Sequence, residues 1–574
     1  MDSDNFSRNM QALSRRNPKL HSRLLEARLL EAGEKGGRYS FAESRSGELV
    51  PALLDASGNA RPLHSMVDPK REGQKLVLSV LQGDAAPGFF IFFGLGAAYA
   101  PQAALEAPGV SHVMAVDFDI DGIAELFRAK DYRAILEDPR FSLWVDPDLE
   151  ELKEFVRQNY LPALCGGMAS LPLKPRVAGD AAGSAGRFDA AAAAVKEAVE
   201  SVSKDYSVQA HFGLRWFSNI IRNIKNAPPQ AFAPPCAGEV AICAAGPSLD
   251  AQMGLLAQEK DRGTFIISAD TAFPALLHAG VEPDAVVSID CQHISLYHFL
   301  GLRPGLRSQN IPLFLDLASP PLLSRLPFSP FFFTGGHPLG LYAGRHWRPL
   351  LRLDTSGANV TYACLSLAER LGARRIRLYG CDFSYPGGKT YARGTYVFPF
   401  FSQRQSRLSP LEAQHSAFLY RSPFLPGGDS GRFYETAALR FYRQKIEEKA
   451  GKMEAEVVAV PGAGASIMLP EKNVRRGGGA VDGTEFFFPA GQGGAGLSAD
   501  VFLERYRSEV AALPVMSGGS FWQNLDGQSR LVLATALPLA AAVKHRSPRL
   551  KNSDLMEEVK RICLKEIDSQ RHLQ

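Results

Sequence analysis

The stretch that most constrains this chain runs from Glu239 to Lys260, EVAICAAGPSLDAQMGLLAQEK. An apolar run ends in Ala244-Ala245-Gly246-Pro247-Ser248, and a helical pattern follows at once. The pattern predicts a strand, a tight turn and a helix. Such a turn bares backbone N–H groups at a helix N-terminus, where a phosphate can bind. Every α/β unit needs a turn at this point, so the motif also fits a simple connection in which Ser248 caps its helix.

Later segments repeat the alternation. TFIISADTAFPALLHAGVEPDAVVSIDCQ (Thr264 to Gln292) reads as strand, helix, strand, with Asp270 and Asp290 at the two strand ends. PLFLDLAS ends a further strand at Asp316, and LDTSGANVTYACLSLAERLGARRIRLYGCDFSYPGGKTYARG contains a Ser356-Gly357 turn, a helix and a strand ending near Asp382. Strands alternating with helices call for a parallel, doubly wound sheet whose ligands lie beyond the carboxyl ends of the strands. The fold class expected is therefore multidomain α/β, with a central Rossmann-like domain, a smaller α/β domain before it and a helical domain after it. Asp270 and Asp290 sit where they can orient ribose hydroxyls or a base. With Asp382 they can also hold a divalent cation such as Mg²⁺ or Mn²⁺, although transfer chemistry does not require one. Asp270 before Thr271 equally fits a helix cap.

At 574 residues the chain exceeds one core, and about 150 residues per domain predicts three or four units. A net charge of +4, with no dense Lys/Arg run, gives no support to a nucleic-acid partner. The polar start MDSDNFSRNMQ is unlike a secretory signal, and the longest apolar runs fall short of a membrane span, so a cytoplasmic chain without membrane insertion is expected. The seven cysteines are scattered, odd in number and without a C-x-x-C pair, which argues against both a disulfide framework and a zinc site.

The segments expected are an N-terminal extension (1–73), an α/β domain (74–176), a linker with helices (177–230), the catalytic domain (231–470), a Gly-rich linker (471–497) and a helical domain (498–574). In the second of these, strand GFFIFFGLG with Gly94-x-Gly96 and Asp117 about twenty residues on fits a nucleotide-binding turn, but Tyr99 replaces the third glycine. Tyr391 to Asp429, rich in Phe, Tyr, Arg and Pro, reads as a lid or acceptor-contact loop, followed by a helix from Phe433 to Lys449.

The order AAGPSLD, ISAD, GVEPDAVVSID, TSG before a helix, and LYGCDFSYPGGKTYA resembles the central domain of the motility-associated factor (Maf) proteins, bacterial flagellin glycosyltransferases. It is more distantly similar to bacterial sialyltransferases that use CMP-sialic acid and to archaeal 6-hydroxymethylpterin diphosphokinases. The similarity spans about Gln230 to Pro470. It implies a glycosyltransferase that moves a CMP-activated nonulosonic acid to Ser/Thr of flagellin. Gly246, Pro247, Ser248 and Asp270 would hold the nucleotide, and Ser356-Gly357 the sugar carboxylate. Lys389 would meet phosphate, Asp290, Asp382 and Tyr391 would serve catalysis, and His337 would be the base, with His293 as the alternative. The family has glycine where Ala244 stands and often histidine where Tyr391 stands. The N-terminal α/β unit resembles the methyltransferase-like scaffold of the same proteins. The other readings are an ATP-dependent pterin diphosphokinase and a non-catalytic flagellin-binding assembly factor.

Overall fold

A computed structural model of the protein describes residues 3–30, 37–54, 58–82, 86–178, 185–228, 238–300, 302, 311–425, 433–470, 496–515 and 520–571. It divides into two compact units. The first comprises residues 1–213 with 512–533 and 537–561, and the second residues 214–511 with 534–536 and 562–574. The helix Ala185–Asn226 contributes to both, as do the helices Ala499–Ala512, Gly527–Arg546 and Asn552–Arg571. Nearly all of the expected Gly-rich linker lies outside the described residues. Among those described, no helix is long and apolar enough to cross a membrane.

The first unit opens with the helices Ser3–Arg16 and Pro18–Leu30, followed by an antiparallel sheet of β1 (Tyr39–Glu43), β2 (Leu49–Leu54) and β3 (Ala60–Pro62). Then β4 (Pro87–Phe93), β5 (His112–Asp117), β6 (Phe141–Val145) and β7 (Gly167–Pro172) form a parallel sheet in the order β6-β5-β4-β7. Every residue of β4 is buried, as a strand covered on both faces requires. The Gly94-x-Gly96 turn that follows is filled by the unit's own side chains. Asp117 accepts from Leu95 N (3.0 Å), Phe118 N (2.8 Å) and the buried Arg176 guanidinium (2.8 Å). A Cβ on Gly96 would lie 2.5 Å from His64 Nε2, which itself accepts from Ala97 N at 2.9 Å. Lys130 Nζ donates to Ala97 O at 2.5 Å. The carboxylate that in a nucleotide-binding turn meets a ribose is here the acceptor of three protein donors.

The second unit is built on β8 (Glu239–Cys243), β9 (Phe265–Ala269), β10 (Ala285–Ser288), β11 (Pro312–Asp316), β12 (Ser329–Thr334), β13 (Leu351–Arg352) and β14 (Arg375–Tyr379). Short strands β15 (Tyr385–Pro386), β16 (Phe424–Leu425) and β17 (Phe433–Thr436) form a small antiparallel sheet, and β18 (Glu456–Ala459) completes the main one. The eight-stranded sheet is parallel throughout, in the order β13-β12-β11-β10-β9-β8-β14-β18. Alternation along β8 serves both layers. Val240 and Ile242 pack with the helix Val360–Arg370, while Ala241 and Cys243 pack with the helix Leu249–Asp261. Strand order reverses between β8 and β14, and in open α/β sheets that reversal opens a crevice at the carboxyl edge.

Two elements differ from the sequence expectation. The expected helix from Phe433 begins as β17, and the helix runs Ala437–Lys452 with Thr436 Oγ1 accepting from Leu439 N. The expected loop from Tyr391 contains two short helices, Val397–Ser402 and Leu411–Leu419, because its aromatic residues find one another.

Candidate functional site

At the reversal point Ser248 is the N-cap residue of the helix Leu249–Asp261, but its side chain makes no capping bond and its donors are engaged elsewhere. Asp382, just past β14, accepts from Ser248 N (2.8 Å) and from Ser248 Oγ (2.5 Å). Ser248 Oγ in turn accepts from Ala463 N at 2.8 Å. The two donors that the sequence offers to a phosphate thus meet a protein carboxylate, itself a favoured partner for a helix N-terminus. The same contact explains Gly246: an added Cβ would lie 2.3 Å from Asp382 Oδ2 and 2.4 Å from Gly380 O. Pro247 is buried beside it. Asp250, in the first turn, accepts from Arg393 N at 2.9 Å. Gln252 joins the loops after β14 and β18, accepting from Gly380 N (2.8 Å) and donating to Val460 O (3.3 Å) and Pro461 O (2.9 Å).

The remaining strand-end carboxylates are also held by their own edge. Asp270 accepts from Thr271 N (2.7 Å), Thr271 Oγ1 (3.1 Å) and Ser288 Oγ (2.7 Å). Asp290 accepts from Gln292 N at 2.9 Å. Burial raises the Asp290 pKa above the usual carboxylate range and the Asp270 charge adds to this, while the Gln292 donors and His298 oppose it. Asp316 accepts from Ala318 N (2.8 Å) and Gly335 N (3.0 Å), and burial pushes its pKa up to about 6. Among the described residues no group of three His, Cys, Asp or Glu side chains is placed to hold a metal ion.

His337 caps the helix Pro338–His346, its Nδ1 accepting from Leu339 N at 3.1 Å. Burial lowers its pKa to about 3, so the ring is neutral and carries its proton on Nε2. That nitrogen is buried without a hydrogen-bond partner. In this arrangement His337 offers a donor, where a general base needs an acceptor. The Ser356-Gly357 turn stands three residues ahead of the helix it was expected to open. Asn359 is the cap, accepting from Tyr362 N at 3.0 Å, and the helix begins at Val360. Gly357 is needed because a Cβ there would lie 2.2 Å from the Tyr362 ring. Ser356 lines a cavity of ≈ 260 Å³ with Asp354, Tyr362, Glu369 and Lys449 among its walls.

The insertion covers the Asp270–Asp290 edge. Tyr391 packs on Phe418 (6.1 Å), and burial pushes its pKa above the usual phenol range, with the charge of Asp270 adding to the shift. Tyr396, whose pKa is raised first by burial, senses both Asp270 and Asp290. Lys389 lies exposed on the turn between β15 and Tyr391. His293 is exposed at the start of a 3₁₀ turn that ends in the buried His298. Sequence reading missed His298, Gln252 and two asparagines. Asn219 donates to Cys291 O (3.1 Å) and Ala318 O (2.8 Å), and Asn223 to Leu317 O (2.9 Å) and Ser319 O (2.8 Å). Their four-residue spacing on one helix face was the available signal, since it ties down the loops after β10 and β11 together.

Comparison with known proteins bears on the fold that carries these residues. Residues 215–388 match the family model described as 6-hydroxymethylpterin diphosphokinase MptE-like. Two uncharacterized proteins of Treponema pallidum (strain Nichols) are similar in sequence. One is 40% identical over 118 residues, 20% of this chain and 42% of that protein. The other is 38% identical over 104 residues, 17% of this chain and 48% of that protein. The chain thus spans less than half the length of either curated relative. Among solved structures, the Maf glycosyltransferase from Magnetospirillum magneticum AMB-1 superposes with a TM-score of 0.58 and 13% identity, covering 99% of this chain and 96% of that one. The chain therefore carries an MptE-like domain within a fold shared, nearly end to end, with a Maf glycosyltransferase.

Proposed function

We propose that the protein is a cytoplasmic glycosyltransferase that moves a nonulosonic acid, of pseudaminic or legionaminic type, from its CMP ester to Ser/Thr hydroxyls of flagellin. The observation that carries this reading is the carboxyl edge at the β8/β14 reversal. A helix N-terminus (Ser248), two buried or half-buried strand-end carboxylates (Asp270, Asp290) and an aromatic insertion (Tyr391, Tyr396) meet there, in a fold shared with a glycosyltransferase. The donor phosphate takes the Gly246–Ser248 turn in exchange for the Asp382 carboxylate, since one helix N-terminus neutralises one anion. Lys389 is the nearby exposed cation for the same phosphate. Asp270 and Asp290 orient the nucleoside. The sugar carboxylate lies at the Ser356-Gly357 turn, where Ser356 opens onto the cavity shared with Lys449. Transfer breaks the bond between the anomeric carbon and the phosphate oxygen. CMP leaves with the electron pair, and the acceptor oxygen bonds to the anomeric carbon once its proton has been taken up.

The test is incubation with a CMP-nonulosonate and purified flagellin, followed by intact-mass measurement. A mass increase of one nonulosonate residue supports the reading, and unmodified flagellin with unreleased CMP contradicts it. A second reading is favoured by the family match: an ATP-dependent diphosphokinase of a hydroxymethylpterin. It predicts AMP release with ATP and the pterin, and none with the CMP-sugar.

A further inference from the structure

The transfer above needs a proton acceptor, and the structure removes His337 from that role: its Nδ1 is occupied by the Leu339 N–H, which leaves the proton on the buried Nε2. His298 stands differently. It is the last residue of the 3₁₀ turn His293–His298, eight positions past Asp290, and only 7% of it is exposed. Its Nδ1 is buried with no hydrogen-bond partner. No backbone N–H or carbonyl dictates which ring nitrogen carries the proton, so the ring is free to accept one. A polar atom buried without a partner is uncommon and is a recurrent mark of sites that act on ligands.

Three neighbours define what surrounds the ring. Tyr396 of the insertion meets it edge to face, with centroids 4.7 Å apart. Asp290 lies within its electrostatic reach, the ring's charge favouring the ionised carboxylate. Tyr396 in turn couples to both Asp270 and Asp290, and Tyr297 packs against Tyr396 and Phe400. His298 is thus the titratable ring set between the strand-end carboxylates and the insertion that covers them.

We propose that His298 is the general base of the transfer, accepting the acceptor hydroxyl's proton while Asp290 stabilises the imidazolium that forms. The inference rests on the glycosyl-transfer reading. The acceptor O–H bond breaks toward a His298 ring nitrogen, the acceptor oxygen forms its bond to the anomeric carbon, and the bond to phosphate breaks with its electrons going to CMP. The pairing of a neutral imidazole with a carboxylate is the usual way to make such a base effective near neutral pH. Tyr396 keeps the ring in place and water out. It is a positioning residue.

The experiment uses the full chain with CMP-pseudaminate or CMP-legionaminate as donor and purified flagellin as acceptor, reading CMP release. His298→Ala and His298→Asn are compared with the wild type for kcat, for donor binding by calorimetry and for melting temperature. The expected result is a loss of kcat of about 10²–10⁴-fold in both variants with donor affinity unchanged. Added imidazole should restore part of the rate in His298→Ala, which a merely structural loss would not allow. A kcat within about threefold of wild type in a folded His298→Asn that binds donor would overturn the assignment. If the wild type itself neither binds the donor nor releases CMP, the transfer reading fails and the role of His298 falls with it.

Discussion

The carboxylate of Asp382 accepts both the backbone N–H and the hydroxyl of Ser248, across 134 residues of sequence, at 2.8 and 2.5 Å. This contact closes the helix N-terminus at the point where the sheet reverses its order, and the loop around Ala463 closes over it. Hydrogen bonds to a charged group contribute about 1.5–3 kcal/mol each, and losing one partner leaves the other unsatisfied. Asp382→Ala is therefore expected to destabilise the second unit by about 2–4 kcal/mol. Chemical denaturation followed by tryptophan fluorescence measures it, and an unchanged midpoint would show that the contact carries no stability.

Gly246 and Gly254 lie eight residues apart and predict opposite outcomes. A methyl on Gly246 meets the Asp382 carboxylate and the Gly380 carbonyl at 2.3 and 2.4 Å, and Gly380 O is fixed by Gly246 N itself. On Gly254, in the middle of the helix Leu249–Asp261, nothing lies within 4 Å. Gly246→Ala should lower the melting temperature and the soluble yield. Gly254→Ala should raise stability by about 0.5–1 kcal/mol through helix propensity.

Asn219 bridges the loops after β10 and β11 through Cys291 O and Ala318 O, and Asn223 holds the loop after β11 at Leu317 O and Ser319 O. Asn219→Ala or Asn223→Ala leaves two buried carbonyls without donors, at a cost of about 1–3 kcal/mol. The double variant should cost less than the sum, because both side chains hold the loop after β11. Equilibrium unfolding of the two single variants and the double variant measures that coupling.

The buried His337 ring makes stability depend on acidity. In the unfolded chain a histidine titrates near 6.5, while here burial lowers the value to about 3. Between those values the unfolded state binds a proton that the folded state refuses. This contribution to stability is complete above about pH 6.5 and is lost as pH falls toward 3. His337→Asn keeps an N-cap acceptor for the helix while removing the titrating ring. Its denaturation midpoint should fall less steeply than that of the wild type between about pH 6.5 and 4. Equal slopes would place the titration elsewhere.

Much of this architecture was legible because it is local. The apolar runs at Val240–Cys243 and Phe265–Ala269, each followed by a turn and a helix, forced a parallel sheet, and the acidic strand ends then had to share one edge. What stayed hidden depends on partners far along the chain. Nothing near Ser248 announces that Asp382 takes its donors, and nothing near Asp117 announces the buried Arg176 that fills the Gly94 turn. Asn359 displaced Ser356 as the helix cap because Asn caps well and Ala358 adopts a left-handed conformation (φ 55°) just before it. His298 was passed over for His293 because the two look alike in HISLYH, and only folding buries one and exposes the other.

The central claim is that the carboxyl edge at the β8/β14 reversal binds a CMP-linked donor. The most direct measurement is a ligand-induced melting shift with CMP, CDP, ATP and GTP, each with and without Mg²⁺. A ligand that binds only the folded state adds about 2.7 kcal/mol at a hundredfold excess over its dissociation constant. Selective stabilisation by CMP, weakened by Asp270→Ala, is the result predicted. Stabilisation by ATP with Mg²⁺ alone, or by none of the four nucleotides, would contradict the account.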